Sequence, residues 1–474
     1  MAASLFAPVY ERLARRHYWR GYAAYKRGAL DEAMAHYAKA LHWTPEDPWA
    51  LDGRGNVKAA KGDHTGALAD YTRATRILPD HAGMLGNLGR CLNAMQEPER
   101  AIAVLDRAVA LDPMHANNLR IRADALALVG RLDYALADLS RAIELEPDPA
   151  TALYDRGVIL ARQRKYDEAL ADFERMLAAP QPLAAGYYGR GIARAGLGKH
   201  DDAIADFTAY LAQRADDIDA LYHRGNCHNA VGDHAAALAD FNRGIHLRGD
   251  MPDFYLSRAT ANAGLGRLEA ALADCNRAVE LGPDLVRAYL HRVTITFRLR
   301  DYAAVITDGD RILALAPNET GGFLARGAGH FALADYAAAI ADYDALLAIA
   351  PEEPEAYLGR AAARREMGGG EAMLTDYRKY LALLAEPTTA RQFNGRAWAL
   401  FVLGDLEPGK VDADRAIALA PDDASGYGTR AHIFEALGRP AEAIVDFRAA
   451  LTRNPTEYLE KLAHAALTRL GSTL

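Results

Sequence analysis

The sequence predicts an all-α protein built as a linear stack of helix pairs, and three observations carry that prediction. Proline recurs every 34 residues, at Pro45, Pro79, Pro113 and Pro147, then at Pro283, Pro317 and Pro351, and again at Pro421 and Pro455. Gly and Ala recur at fixed places inside that period. Apolar residues make up 51% of the 474 residues and aromatics only 8%, with Ala dominant, a composition that favours helix over strand and can bury a large core.

Charge and cysteine content narrow the class further. A formal net charge of -8 excludes a generally basic, phosphate-seeking surface. Three cysteines cannot build a disulfide framework in so long a chain, and suit a reducing compartment. Residues 1–8 lack the charged and apolar regions of a signal peptide, and no apolar run approaches the length of a membrane span. The expectation is a cytoplasmic protein with no membrane contact.

With the recurrent proline at position 32, thirteen units of 34 residues run from Ala14–Asp47 to Ala424–Glu457. Residues 1–13 precede them as an N-terminal cap, in which Leu5, Phe6, Val9 and Tyr10 are to cover the first unit. Repeats one to eleven occupy 14–387. Thr388-Thr389 is an insertion, so repeats twelve and thirteen fall in 388–457. Residues 458–474 form a C-terminal capping helix, with Leu459, Leu462, Ala463, Ala466, Leu467 and Leu470 on one face.

Within each unit the pattern reads helix, tight turn, helix, short turn. Position 8 is small (Gly21, Gly55, Gly89, Ala123), with Val293 the exception, and position 20 is Ala in ten units. Small residues there let two helices approach closely, and Tyr or Phe at position 24 (Tyr37, Tyr71, Phe173, Phe207, Phe241, Phe447) fills the space beside them. Gly at position 15 (Gly28, Gly62, Gly130, Gly198) suits a helix C-terminus, where φ > 0 is needed. Proline at position 32 stops the second helix.

This pattern resembles the tetratricopeptide repeat family over about residues 14–457. The resemblance implies a right-handed α-solenoid, a superhelix of antiparallel helix pairs whose first helices line a concave face. It also implies protein binding and no chemistry. Val305, Met373 and Gly409 depart from Ala at position 20 and imply looser packing. Gly368-Gly369-Gly370 and Thr388-Thr389 mark the candidate hinge. Some members clamp a partner's C-terminal carboxylate with Lys at position 5 and Asn at position 9; here Tyr18 and Tyr22 stand there in the first unit and no unit has Lys at position 5, which disfavours that role.

Twelve units carry Arg at position 7 and eleven carry Asp at position 23. The unit with Leu88 in place of the Arg has Val104 in place of the Asp, so the two charges vanish together. In an antiparallel pair turning near position 15 these positions lie at one height, and a ladder of guanidinium–carboxylate pairs is expected. No metal site is expected. His223, Cys227, His228 and His234 lack zinc spacing, and Cys91, Cys227 and Cys275 sit at packing positions. No catalytic motif is present, so neither an enzyme nor a cofactor is expected.

Two stretches remain as candidate binding surfaces. Arg12, Arg15, Arg16, Arg20, Lys26 and Arg27 interleave with Tyr18, Trp19, Tyr22 and Tyr25, a pattern open to an acidic or aromatic-rich partner, to nucleic acid (which the net charge disfavours), or to packing at an end repeat. On the first helices, positions 2, 5, 9 and 12 share a face. Position 5 runs Tyr154, Tyr188, Tyr222, Leu256, Leu290 and Leu324; Phe297 and Phe331 add to it from position 12, and Asn226 and Asn229 border it. Asn amides can hold a bound backbone while the apolar residues take side chains. The same residues can equally pack between repeats. The sequence thus predicts a non-catalytic scaffold or adaptor that binds a partner's peptide segment in its groove. A targeting subunit of an enzyme complex and a self-assembling structural protein stay open as alternatives.

Overall fold

The computed structural model describes residues 2–179, 183–453 and 455–472, with side chains from residue 9 onward. The cap residues Leu5 and Phe6 therefore lie outside the described side chains. The described residues form helices and turns, without a strand, and the chain divides into two compact units, Met1–Asp233 and His234–Leu474.

The first unit holds α1 (Ala2–Lys26), α2 (Leu30–Trp43), α3 (Pro48–Ala60), α4 (His64–Ile77), α5 (Ala82–Ala94), α6 (Pro98–Leu111), α7 (Ala116–Leu128), α8 (Leu132–Leu145), α9 (Ala150–Arg162), α10 (Tyr166–Leu177), α11 (Ala184–Gly196), α12 (His200–Leu211) and α13 (Ile218–Ala230). The second holds α14 (His234–Leu247), α15 (Pro252–Gly264), α16 (Leu268–Leu281), α17 (Val286–Arg298), α18 (Tyr302–Leu315), α19 (Thr320–Ala332), α20 (Tyr336–Ile349), α21 (Pro354–Glu366), α22 (Glu371–Leu383), α23 (Ala390–Leu403), α24 (Leu406–Leu419), α25 (Ala424–Ala436), α26 (Pro440–Leu451) and α27 (Glu457–Arg469). Odd-numbered helices are the first helices of the repeats and even-numbered ones the second, as the 34-residue period requires. The fold is an all-α solenoid of helix pairs.

Local chemistry explains the boundaries. Several first helices open on an acceptor at the N-cap: Asp47 takes the amides of Trp49 and Ala50, Asp217 that of Ala220 and Asp423 that of Ser425. Thr389 and Gln392 form a reciprocal capping box at the start of α23, so the inserted residues build the helix entry. Pro408 falls in the first turn of α24, where its missing N–H is harmless. Position 15 has positive φ in all thirteen repeats. Gly supplies it in nine, and Gln96, Arg164, Arg300 and Ala334 adopt φ of 60–62° in the other four.

The core is made by the aromatic at position 24, wedged between glycines of its own and the next repeat. A Cβ placed on Gly157 would sit 2.7 Å from the Phe173 ring, and one on Gly189 only 2.3 Å from it. The same arrangement holds Tyr37 between Gly21 and Gly53, and Tyr343 between Gly327 and Gly359. Packing at Val305 is not loose: the side chain is fully buried, and Gly329 of the next first helix leaves room for it.

In the second unit, successive first helices touch at α15–α17, α17–α19, α19–α21 and α23–α25, and the capping helix α27 touches α25, whereas α21 and α23 stand further apart along their backbones and meet through the side chains of Leu358, Arg365 and Trp398. The wider spacing coincides with the two-residue insertion, and a cleft of about 410 Å³ lies nearby between the end of α22, α23 and α24, beside Leu384, Arg396, Leu400 and Pro408. At the ends, Tyr10 stacks on Trp43 at 5.2 Å, and α27 buries Ala463, Ala466 and Leu467 against Phe434 and Phe447.

Candidate functional site

The position-7 arginines face inward to their own second helices. In ten repeats the guanidinium reaches the position-23 carboxylate at 2.6–2.7 Å, from Arg54–Asp70 through Arg190–Asp206 to Arg430–Asp446. The aspartates are buried, Asp206 to 2% exposure. Burial alone would raise the Asp70 carboxyl, but hydrogen bonds from Arg54 and Lys58 outweigh it and hold it below the usual range. Where the pair is missing, Leu88 is buried and Val104 packs against the same apolar cluster.

Many of these arginines also do something the sequence reading missed. The remaining Nη1 donates to position 25 of the preceding repeat, as in Arg122 to Asp106 (2.8 Å), Arg156 to Ser140 (2.9 Å), Arg292 to Asn276 (2.9 Å) and Arg360 to Asp344 (2.6 Å), whereas that of Arg396 goes to the Ala385 carbonyl (2.6 Å). In several repeats the guanidinium lies over the aromatic at position 4, as Arg258 does over Tyr255 at 5.4 Å. One side chain therefore joins two helices of its repeat and bolts that repeat to its predecessor. The visible signal was the run of Asp, Asn, Ser and Thr at position 25.

The first-helix track is half-buried in the first unit. Tyr154 meets Phe173 edge-on at 6.1 Å, and Tyr188 packs on Phe207, Tyr210 and His223 at 5.2–6.1 Å. Burial, with Asp219 and Asp217 nearby, raises the Tyr188 phenol far above its ordinary value, so it stays neutral. Tyr222 lies edge-on to His223 at 5.6 Å. Asn226 and Asn229, one and two turns further along α13, are also partly exposed. His223 stacks on Phe207 at 5.9 Å, and burial lowers its pKa. His228 leans toward Asp233 at 3.7 Å. No cluster that could hold a metal ion occurs among the described residues. Cys91, Cys227 and Cys275 are free and buried, and burial pushes the Cys227 thiol up to about 11.

In the second unit the track is uneven. Leu256 is only 4% exposed and packs with Tyr255, Ala278 and Ala288, so it is core rather than surface, a correction to its place among the candidate contact residues. Leu290 is partly exposed and leans on Gly321 of the next first helix. Phe297 is 38% exposed, propped edge-on by Tyr302 at 5.4 Å. Leu324 and Phe331 are partly buried around Tyr343 and Leu346.

Phe331 has a further neighbour that the sequence did not announce. Tyr458, at the start of α27, lies edge-on to it at 5.7 Å. The Tyr458 hydroxyl donates to Glu366 at 2.7 Å and accepts from Arg365, whose guanidinium lies 4.7 Å from the Trp398 ring. The adjoining Pro455 carbonyl accepts from Arg300 at 2.5 Å. The chain's own C-terminal segment thus seats an aromatic side chain on the first-helix face of repeats ten to twelve. Residues so far apart carry no local sequence signature of meeting.

Family models of the tetratricopeptide repeat match residues 7–48, 58–124, 122–185, 188–252, 230–286 and 424–457, together more than half of the chain. No curated protein sequence matches it. Among solved structures, the APC/C hetero-tetramer Cut9–Hcn1 is similar at a TM-score of 0.51 and 13% identity, over 95% of both chains. Yeast Tom70 is similar at 0.43 and 17% identity, over 89% of this chain and 96% of that one. A repeat protein of Parabacteroides merdae ATCC 43184 is similar at 0.41 and 20% identity, over 53% of this chain and 98% of that one. At these identities the likeness concerns the fold alone.

Proposed function

Because the chain belongs to the tetratricopeptide repeat family, we propose that it is a non-catalytic interaction scaffold whose first-helix face holds a peptide segment of a protein partner. The observation that supports this reading is the division of labour among positions. The arginine, its aspartate and the position-24 aromatic hold the repeats together, while Tyr154, Tyr188 and Tyr222 stay partly exposed on the first helices, with Asn226 and Asn229 further along α13. In the second unit Leu290, Phe297, Leu324 and Phe331 offer apolar contacts of the same kind. Tyr side chains anchor interfaces well, because a large amphipathic surface is fixed at low entropic cost, and truncation of such an anchor costs about 2 kcal/mol or more.

The partner is to be found by copurification and mass spectrometry. Many proteins point to an adaptor, one stoichiometric enzyme to a targeting subunit, and the chain alone to self-assembly. With a partner in hand, Tyr188→Ala, Tyr222→Ala and Phe297→Ala are made singly. Lost binding at unchanged thermal stability supports the track. Retained binding with lowered stability makes these residues packing and refutes it.

A further inference from the structure

The N-terminal repeat carries a second surface, several repeats away in sequence from Tyr154–Phe331, and its chemistry differs from what the linear sequence suggests. An open cleft of about 1060 Å³ lies between α1 and the turn leading into α3. Its walls are aromatic: Tyr18, Trp19 and Trp49, with Trp19 54% and Trp49 47% exposed. Tryptophan is rarely left so open in a folded chain unless something covers it. The rings are held in place, Trp19 edge-on between Tyr18 and Tyr22 at 5.2 and 5.9 Å, and Trp49 edge-on to His81 at 4.8 Å.

The charge on this cleft is acidic. Glu11, Glu46 and Asp47 line it against the single guanidinium of Arg15. Asp47 caps α3 through Oδ1 alone, and neither Glu11 nor Glu46 forms an ion pair among the described residues. Of the basic residues that interleave with these aromatics in the sequence, Arg15 lines the cleft, Lys26 lies over the Tyr22 ring at 5.7 Å, and Arg12, Arg16 and Arg20 are not part of its walls. The mixed run therefore leaves an aromatic cleft in which carboxylates outnumber cations.

We propose that this cleft binds a cationic segment of a protein partner, with arginine or lysine side chains laid across Trp19 and Trp49 and their charged heads against Glu11 and Glu46. A guanidinium or ammonium over an indole face is attracted by the ring quadrupole, and its methylene stem covers apolar surface at the same time. An acidic peptide would meet three carboxylates in the same space and is repelled.

The test titrates the full chain with a short peptide of alternating arginine and glycine, followed by tryptophan fluorescence and calorimetry at low salt. Saturable binding of one peptide per chain is expected, weakened by about tenfold or more in Trp49→Ala. The double variant Glu11→Gln/Glu46→Gln keeps the shape of the cleft and is expected to weaken it likewise, whether or not Trp49→Ala folds. Tyr188→Ala, on the first-helix track, is expected to leave it unchanged, which separates this site from that surface. Four results overturn the proposal. The arginine peptide fails to bind, or binds equally well to wild type and the carboxylate double variant. A glutamate–glycine peptide or a single-stranded oligonucleotide competes for the cleft. A concentration-dependent dimer disappears with Trp49→Ala, making a second copy the occupant.

Discussion

Asp172→Val isolates one rung of the arginine ladder. In the native repeat, Arg156 gives Nε and Nη2 to Asp172 at 2.8 and 2.6 Å and Nη1 to Ser140 at 2.9 Å. The arginine side chain is 25% exposed and the aspartate 5%. Removing the carboxylate strands two guanidinium N–H groups in a largely buried place while the bond to Ser140 survives. Breaking a buried pair costs about 3–5 kcal/mol, and the remaining access to water brings the expected loss down to about 2–3 kcal/mol. The double variant Arg156→Leu/Asp172→Val removes both charges, as Leu88 and Val104 do in the third repeat, and is expected within about 1 kcal/mol of wild type. Because a repeat array need not unfold in one step, the readout is local: hydrogen exchange of the α9 and α10 amides beside urea unfolding. If the double variant is as damaged as the single one, the pair contributes net stability of its own, and desolvation does not offset its attraction.

Gln96→Gly and Arg164→Gly relieve left-handed backbone at position 15 and are expected to raise stability by up to about 1 kcal/mol each; Gly62→Ala, which has open space around its Cβ, is expected to lower it by about as much through φ alone, all read from urea midpoints. Gly189→Ala forces a Cβ into the Phe173 ring and is expected to cost about 1–3 kcal/mol, measured by thermal unfolding. His432 lies among Trp398, Phe401 and Phe447, and burial lowers its pKa to about 4, with Glu435 opposing and Arg365 and Arg469 adding to the shift. The folded state takes up this proton later than the unfolded chain, so stability is complete above about pH 6.5 and falls by roughly 3 kcal/mol as pH drops toward 4. His432→Phe is expected to flatten that part of the profile.

The repeat register, the helix pairs and the ladder were legible because each recurs at a fixed place, and thirteen copies turn a weak local preference into a firm one. Position 15 shows how far this goes: Gln96, Arg164, Arg300 and Ala334 take the glycine conformation because the neighbouring helices impose it, although their own chemistry opposes it. What escaped was long-range. Tyr458 meets Phe331 and Arg365 across more than ninety residues, and no period in the sequence encodes that meeting. Leu256 fails as a surface residue for a related reason, since position 5 is core or surface according to how each neighbour leans on it.

The N-terminal repeat carries this lesson into function. Read as a string, residues 12–27 are a basic-aromatic run open to an acidic or aromatic-rich partner, to nucleic acid or to packing at an end repeat. Folded, the same residues contribute Arg15, Tyr18 and Trp19 to a cleft whose other walls carry Glu11, Glu46, Asp47 and Trp49, while Arg12, Arg16 and Arg20 stay outside it. Two of the three carboxylates that decide its sign, Glu46 and Asp47, come from the following turn, and Asp47 is there first to cap α3. A residue required by the fold thus contributes its charge to a surface the fold does not need. The first-helix track has the same logic in reverse: Tyr188 packs on Phe207, Tyr210 and His223 and is still partly exposed. In such an array, binding surface is whatever the repeated packing positions leave uncovered. Under the proposed function, variation among the repeats at those leftover positions, rather than the shared motif, would set partner choice.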